Sequence, residues 1–353
     1  MRSGKAKKSL LSPMKTVICE QPGSLVLIDR PSPEPGIDDV LIRIKRVGVC
    51  GTDLHIYTGK QPFLSYPRVM GHELSGIVES APAGARVAKG DQVYVMPYLA
   101  CGKCIACRAK KPNCCMNIRV LGVHTDGGLV EQLAVPQAFV FKADGVTLNQ
   151  AAMIEFLAIG AHAVARADVQ PKQRALVVGA GPIGMAALIF AKLRGAEVTV
   201  LDGREDRLRF CETQLNADHV VRLDTTGAAA DATQLAELTG NEFFDIVFDA
   251  TGNVKAMERG LEFVAHGGKY VLISIVSDRI SFADPEFHKR ETTLLASRNA
   301  TPDDFETVLS AMRAGLIPTA ALNTHTLKLS DLPSEFAKLL DPSAGVIKAL
   351  VEC

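Results

Sequence analysis

Arg174-Ala175-Leu176-Val177-Val178-Gly179-Ala180-Gly181-Pro182-Ile183-Gly184 decides the architecture of this chain. The continuous apolar run ending in glycine reads as a strand buried on both faces, and a helical stretch follows from Gly184 to about Arg194. Between them the glycines are spaced G-x-G-x-x-G. Gly179 permits the tight turn, Gly181 lets backbone approach a pyrophosphate, and Gly184 lets the helix pack close to the strand. Pro182 and Ile183 complete the turn at the helix start, whose positive dipole end faces the phosphates. The next strand, Glu197–Leu201, ends at Asp202, 18 residues past Gly184. A carboxylate there accepts from ribose hydroxyls and repels a 2′-phosphate, which favours NAD over NADP. Arg204 and Arg207 lie close by, and Arg207 joins the expected cofactor-binding set. The glycine pattern alone is weak; strand, turn, helix, strand and terminal acid in that order make it a dinucleotide-binding fingerprint.

Outward from this unit, Val220–Leu223, Asp245–Asp249, Lys269–Ile273 and Thr292–Ala296 read as further strands separated by helical segments. That alternation predicts a parallel sheet covered on both faces. From about Val17 to Val140 the texture is different: short strands such as Asp39–Val47, Gly76–Ser80 and Asp91–Val95, punctuated by Pro and Gly. The expected division is a mostly β catalytic domain over 14–166, continued by 300–353, and a dinucleotide-binding domain over 167–299.

With 353 residues, 47% hydrophobic and 22% charged, the chain has the composition of a globular protein of two domains. Net charge is zero, without the basic stripe expected for nucleic acid, and no apolar run approaches the roughly 18 residues of a membrane span. The expectation is therefore no nucleic-acid partner and no membrane. Residues 1–13 are basic and lack a signal peptide's apolar stretch, and they are set aside from the fold argument. Nine cysteines without an export signal favour thiols and metal ligation over disulfides, and a cytoplasmic location.

Cys101, Cys104 and Cys107, followed by Cys114 and Cys115, form a tight loop that can wrap four sulfurs around one zinc ion. An all-cysteine set is closed to water and substrate, so it is structural. A second, mixed set is Cys50, His72, Glu73 and Glu155. One thiolate, one imidazole and one carboxylate suit a catalytic zinc that keeps a position open.

Taken together, Cys50-Gly51-Thr52-Asp53-Leu54-His55, Gly71-His72-Glu73-Leu74-Ser75-Gly76, the cysteine loop and Gly179–Gly184 resemble the zinc-dependent medium-chain alcohol dehydrogenase family over nearly the whole of 14–353. The resemblance implies an α/β fold, a Rossmann dinucleotide-binding domain plus a GroES-like, mostly β catalytic domain, assembled as a homodimer or homotetramer. It implies one catalytic and one structural Zn²⁺ per chain, with Cys115 rather than Cys114 closing the structural set. Cys50 and His72 are implied as direct ligands, Glu73 as a ligand or near-ligand, and Glu155 as the acid that replaces a cysteine in the polyol and threonine branches. The family often has Pro after that Glu; here Phe156 follows. Asp53 matches an acid that orients the zinc histidine.

Within the family the chain is most similar to the sugar-acid branch, on Gln61–Arg68, Gly122–Gly128, Asp284–Thr293 and Ser297-Arg298-Asn299-Ala300-Thr301. The implied reaction is hydride transfer from a secondary alcohol of a sugar acid or polyol to NAD⁺, with zinc acidifying the hydroxyl. Thr52 would relay the proton through the cofactor ribose to His55. Arg298 matches a substrate-binding arginine and suits a carboxylate, while His124 and Asn299 could hydrogen-bond substrate hydroxyls. Threonine 3-dehydrogenase-type and sorbitol-type activities are the near rivals. A non-catalytic cofactor-binding protein on the same fold is the rival of another class, and the complete mixed ligand set argues against it.

Overall fold

The computed structural model describes residues 13–61, 64–226 and 229–353. The reading of the leader lies outside them, apart from Pro13, which opens the strand Pro13–Gln21. Among the described residues, six parallel strands form one sheet in the order His219–Arg222, Glu197–Asp202, Arg174–Val178, Phe244–Asp249, Val264–Leu272, Thr293–Ala296. Both faces are covered at the centre of the sheet, which is why the runs Ala175–Val178 and Ile246–Phe248 are apolar throughout. Ala175 and Val177 point into one core with the helices Ile154–Ala167 and Pro182–Leu193, while Leu176 and Val178 point into the other with Leu201, Leu235 and Tyr270. Strand order reverses beside Arg174–Val178, the place where such sheets open a crevice for a dinucleotide. Val264–Leu272 begins ahead of the expected Lys269, across His266-Gly267-Gly268. The strand runs through those glycines with a shift in register against Phe244–Asp249.

The second sheet has seven strands, with Asp39–Val49 at its centre. Asp39–Val49 pairs with Glu73–Ser80, Gln132–Pro136 and Lys348–Glu352, all antiparallel. Asn323–Lys328 extends it on one side, Gln92–Val95 and Val140–Lys142 on the other. Alternate residues Val40, Ile42 and Ile44 are fully buried in its core.

One helix joins the two units. Ile154–Ala167 packs along Pro182–Leu193, and at Gly160 a β-carbon would stand 2.5 Å from Ala186. Only glycine permits that close crossing. The first turn of the helix, with Glu155, is thereby aimed at the mixed ligand cluster.

Candidate active site

The mixed cluster is built by two turns that share one carboxylate. Cys50 precedes the short helix Gly51–Tyr57, and the Cys50 amide donates to Asp53 Oδ2 at 2.9 Å. The other oxygen, Oδ1, accepts from the Gly71 amide at 3.2 Å and lies 3.9 Å from His72 Nδ1. Asp53 therefore caps its own helix start and faces the imidazole at the same time. Cys50 Sγ, a His72 ring nitrogen and a Glu73 carboxylate oxygen lie within 4.8 Å of one another.

Glu73 has no accessible surface. The space for its carboxylate exists because residue 48 is glycine: a β-carbon there would stand 1.9 Å from Glu73 Oε2. Lys348 Nζ donates to both Glu73 oxygens, at 2.7 and 2.9 Å, and to the Val49 carbonyl at 3.1 Å. The ammonium also sits 4.3 Å from the ring centroid of Phe156, a cation–π contact made by the residue that stands where the family often has proline. Burial works against the Lys348 charge, but Glu73 and Cys50 outweigh it and hold its pKa above the usual lysine value.

Glu155 is buried beside this pair. Its Oε1 accepts from the Tyr98 hydroxyl, whereas Oε2 has no partner among the described residues. His72 Nδ1 is likewise buried and without a hydrogen bond. Burial, the largest influence, pushes the Glu155 carboxyl up to about 7. Orphaned buried polar atoms beside a thiol are expensive unless a cation meets them. The donor set of sulfur, imidazole and carboxylate is the one zinc takes where it keeps an open position.

The second cluster is closed. The sulfurs of Cys101, Cys104, Cys107 and Cys115 lie within 4.8 Å of one another, with Cys104 3.5 Å from Cys107 and 3.9 Å from Cys115. Four thiolates about 2.3 Å from a tetrahedral zinc would be spaced similarly. Amides of Cys101 and Met116 point at Cys115 and Cys104 sulfur, at 3.2 and 3.4 Å. The backbone amides of Lys103 and Cys104 pull the Cys101 thiol down to about 6. Cys115 is buried while Cys114 is exposed, so exposure separates two neighbours that spacing leaves open.

In the glycine loop, Gly179 adopts φ +98°, closed to most residues, and a β-carbon at Gly184 would stand 1.8 Å from the Gly179 carbonyl oxygen. A β-carbon at Gly181 would meet nothing within 4 Å, leaving an open cradle at the N-terminus of Pro182–Leu193. That cradle fits a pyrophosphate. Pro182 occupies the first helical position and Ile183 the next. Asp202 holds the loop from below: Oδ2 accepts from the Ala180 amide at 2.6 Å and Oδ1 from the Arg204 amide at 2.8 Å. Arg207 donates to the carbonyls of Ala180 and Val346, at 3.1 and 2.6 Å. It braces the loop.

Thr52 and His55 stand three residues apart on the helix Gly51–Tyr57, hence on one face, with His55 exposed. His124 belongs to a turn packed on the backbone next to His72: a β-carbon at Gly122 would stand 2.8 Å from the Gly71 nitrogen. The Val120 amide donates to His124 Nδ1 at 3.1 Å, which leaves the proton on Nε2. Partial desolvation, then the guanidiniums of Arg298 and Arg68, lower the His124 pKa. Arg298 is exposed, and its guanidinium has no hydrogen-bond or ion-pair partner among the described residues. Asn299 donates to the Asn113 carbonyl at 3.2 Å.

Sequence reasoning missed Lys348, Tyr98 and Asn113. The first carried a signal: a lone charge in the apolar run Val346-Ile347-Lys348-Ala349-Leu350-Val351. The other two carried none.

Residues 36–145 match the model of the alcohol dehydrogenase GroES-like domain, and residues 182–314 that of zinc-binding dehydrogenases. The chain is 43% identical to L-galactonate-5-dehydrogenase of Escherichia coli (strain K12), over 97% of this chain and 99% of that one. It is 31% identical to 2-dehydro-3-deoxy-L-galactonate 5-dehydrogenase of Pseudoalteromonas atlantica, over 90% and 93%. Among solved structures, an alcohol dehydrogenase of E. coli CFT073 complexed with NADH superposes with a TM-score of 0.89 at 28% identity, covering 97% of this chain and 100% of that one.

Proposed function

Because this chain belongs to the zinc-binding alcohol dehydrogenase family, we propose that it oxidises a secondary alcohol of a sugar acid, with NAD⁺ as hydride acceptor. The observation that carries the sugar-acid reading is Arg298. An exposed guanidinium without an acid partner among the described residues, close enough to His124 to lower its pKa, offers a bidentate site for a substrate carboxylate. Neutral His124 presents Nε2–H to a hydroxyl, and Asn299 stands beside Arg298.

Cys50, His72 and Glu155 would hold the catalytic zinc. Among the described residues Glu155 Oε2 is without a partner, while Lys348 already engages both oxygens of Glu73. Glu73 is then a neighbouring carboxylate held in reserve. Bound there, zinc would supply Lewis acidity to the substrate hydroxyl, and NAD⁺ in the glycine cradle would supply the hydride acceptor. The residues of the chain handle the proton: Thr52 Oγ1 receives it, and exposed His55, one turn further on the same face, returns it to solvent. Cys101, Cys104, Cys107 and Cys115 would hold the structural zinc. Gly179, Gly181, Pro182, Ile183, Gly184 and Asp202 form the cofactor cradle, with Arg207 as its brace.

The open sheet edge at Thr293–Ala296, where exposed Leu294 and Phe282 line one shallow cavity, supports self-association as a homodimer or homotetramer. Sedimentation would report it directly.

The deciding experiment is the initial rate of NADH formation with L-galactonate, L-gulonate, D-sorbitol, L-threonine and a simple alcohol, for the native enzyme and Arg298→Ala. A hexonate should be preferred, and the variant should lose it chiefly through KM. Preference for sorbitol or threonine, or an indifferent variant, overturns the sugar-acid assignment.

A further inference from the structure

The cysteine loop reaches beyond its own sulfurs. Asn113 stands between Cys107 and Cys115, and it is buried although the loop around it is largely exposed. Its side-chain amide nitrogen donates to the Arg298 carbonyl at 3.0 Å and faces His162 Nε2 at 3.1 Å. Its main-chain carbonyl accepts from the Asn299 side chain at 3.2 Å. Two of the three residues expected to meet substrate, Arg298 and Asn299, are thus tied to one asparagine 185 and 186 positions earlier in the chain.

The protons in this network have one consistent arrangement. A carbonyl can only accept, so Asn113 must present its NH₂ to Arg298. The second hydrogen of that NH₂ points at His162 Nε2, which must then be the acceptor. The imidazole proton lies on Nδ1 and is donated to Asp304 Oδ2, 2.8 Å away. Asp304 Oδ2 also accepts from the Thr301 amide and hydroxyl, at 2.8 and 2.6 Å. The chain of donors closes on the N-terminus of the helix Pro302–Arg313, immediately after Arg298 and Asn299. His162 lies on Ile154–Ala167, two turns along the face that carries Glu155.

The segment held in this way is one that needs holding. Asn299 has φ +53°, in the left-handed region, and Arg298 lies outside any helix or strand. The Arg298 guanidinium has no partner of its own among the described residues, so its position depends on where its backbone is fixed.

We propose that Asn113 is a positioning residue for substrate recognition: its side chain fixes the backbone of Arg298 while its main-chain carbonyl holds the side chain of Asn299, and through it the cysteine loop sets where a substrate carboxylate is bound. This rests on the reading of Arg298 as the carboxylate-binding group. A purely structural loop would brace the fold and affect all substrates alike; a positioning loop discriminates by charge.

The test uses Asn113→Ala and Arg298→Ala, each compared with the native enzyme on the preferred hexonate and on the neutral polyol of the same length. Zinc content is measured for each protein. Binding of the hexonate to the enzyme–NADH complex is read by NADH fluorescence. Asn113→Ala should keep two zinc ions per chain, raise KM and Kd for the hexonate about tenfold with little change in kcat, and leave the polyol KM unmoved. A hexonate KM unchanged in Asn113→Ala but raised in Arg298→Ala overturns the positioning role alone. Equal losses on both substrates overturn it too. A hexonate KM unchanged in Arg298→Ala overturns the carboxylate reading and this inference together. Should Asn113→Ala fail to fold, His162→Gln, which withdraws support from the far side of the same amide, is read in its place. The same selective rise, about threefold, is expected, and no rise overturns the proposal.

Discussion

Lys348 Nζ lies 2.7 and 2.9 Å from the two carboxylate oxygens of Glu73, a residue 275 positions earlier, and the two side chains are 1% and 0% exposed. Taking two charges out of water is costly, and their attraction repays it only when geometry is good and remaining hydrogen bonds are met. Here the Val49 carbonyl and the Phe156 ring complete the ammonium's surroundings. Removing one partner strands the other. Lys348→Met should destabilise the protein by about 3–5 kcal/mol in urea unfolding, and adding Glu73→Gln should restore part of it. A single variant as stable as the native chain would show the pair to be dispensable.

Zinc content should separate the carboxylates and the two clusters. Glu155→Gln should lose one of two zinc ions per chain, and Glu73→Gln should keep both, because of these two carboxylates only Glu155 has an oxygen without a partner among the described residues. Cys104→Ser should lose the other ion and, unlike Glu155→Gln, lower the melting temperature sharply, since a closed thiolate site contributes directly to folding. Elemental analysis of the purified variants checks both, and zinc retained by Glu155→Gln but lost by Glu73→Gln would exchange the roles.

Cofactor choice should turn on Asp202. Asp202→Ser should reduce kcat/KM for NAD⁺ about 10- to 100-fold, the loss expected for a hydrogen bond to a charged group. It should also improve the use of NADP⁺, because carboxylate repulsion is gone. Loosening of the Ala180 turn, which Asp202 also holds, would weaken both cofactors together; opposite signs identify the ribose role.

Asp249, at the end of Phe244–Asp249, gives a pH-dependent stability. Burial raises its pKa from 3.8 to about 6, against the hydrogen bonds from Thr251. A raised carboxyl pKa means the folded state holds its proton more tightly than the unfolded chain. The native protein therefore loses stability as pH rises from 3.8 to about 6, on the order of 3 kcal/mol in all, and then levels off. Asp249→Asn keeps an acceptor for Thr251 without the charge. Its advantage in urea unfolding should be absent near pH 4, grow to pH 6 and stay constant to pH 8. A variant less stable than native at pH 8 would refute this.

Much of the fold was legible because its decisive residues are neighbours in sequence. Gly179, Gly181 and Gly184 act within one turn, and the continuous apolar run Ala175–Val178 follows from a sheet buried on both sides. The cysteine spacing defines a loop, though spacing alone does not distinguish Cys115 from Cys114; the buried Cys115 sulfur lies with the other three and Cys114 is exposed. Partnerships across the chain left no trace. Nothing local in Asn113 points to Arg298, and Tyr98 reads as an ordinary core aromatic until Glu155 is placed beside it. The same limit applies to Val264–Leu272, read from the sequence only from Lys269 onward, while pairing with Phe244–Asp249 starts the strand at Val264.

The strand Lys348–Glu352 lies between Asn323–Lys328 and Asp39–Val49, so the sheet of the catalytic half is assembled from both sides of the dinucleotide-binding unit. Synthesis from the N-terminus then imposes an order. The nucleotide-binding sheet has all its strands by Ala296, whereas Glu73 waits for Lys348 before its charge is met. A nascent chain that has not yet reached Lys348 would leave Glu73 buried without its charge partner, so the sheet around Glu73 is the last to have all its strands.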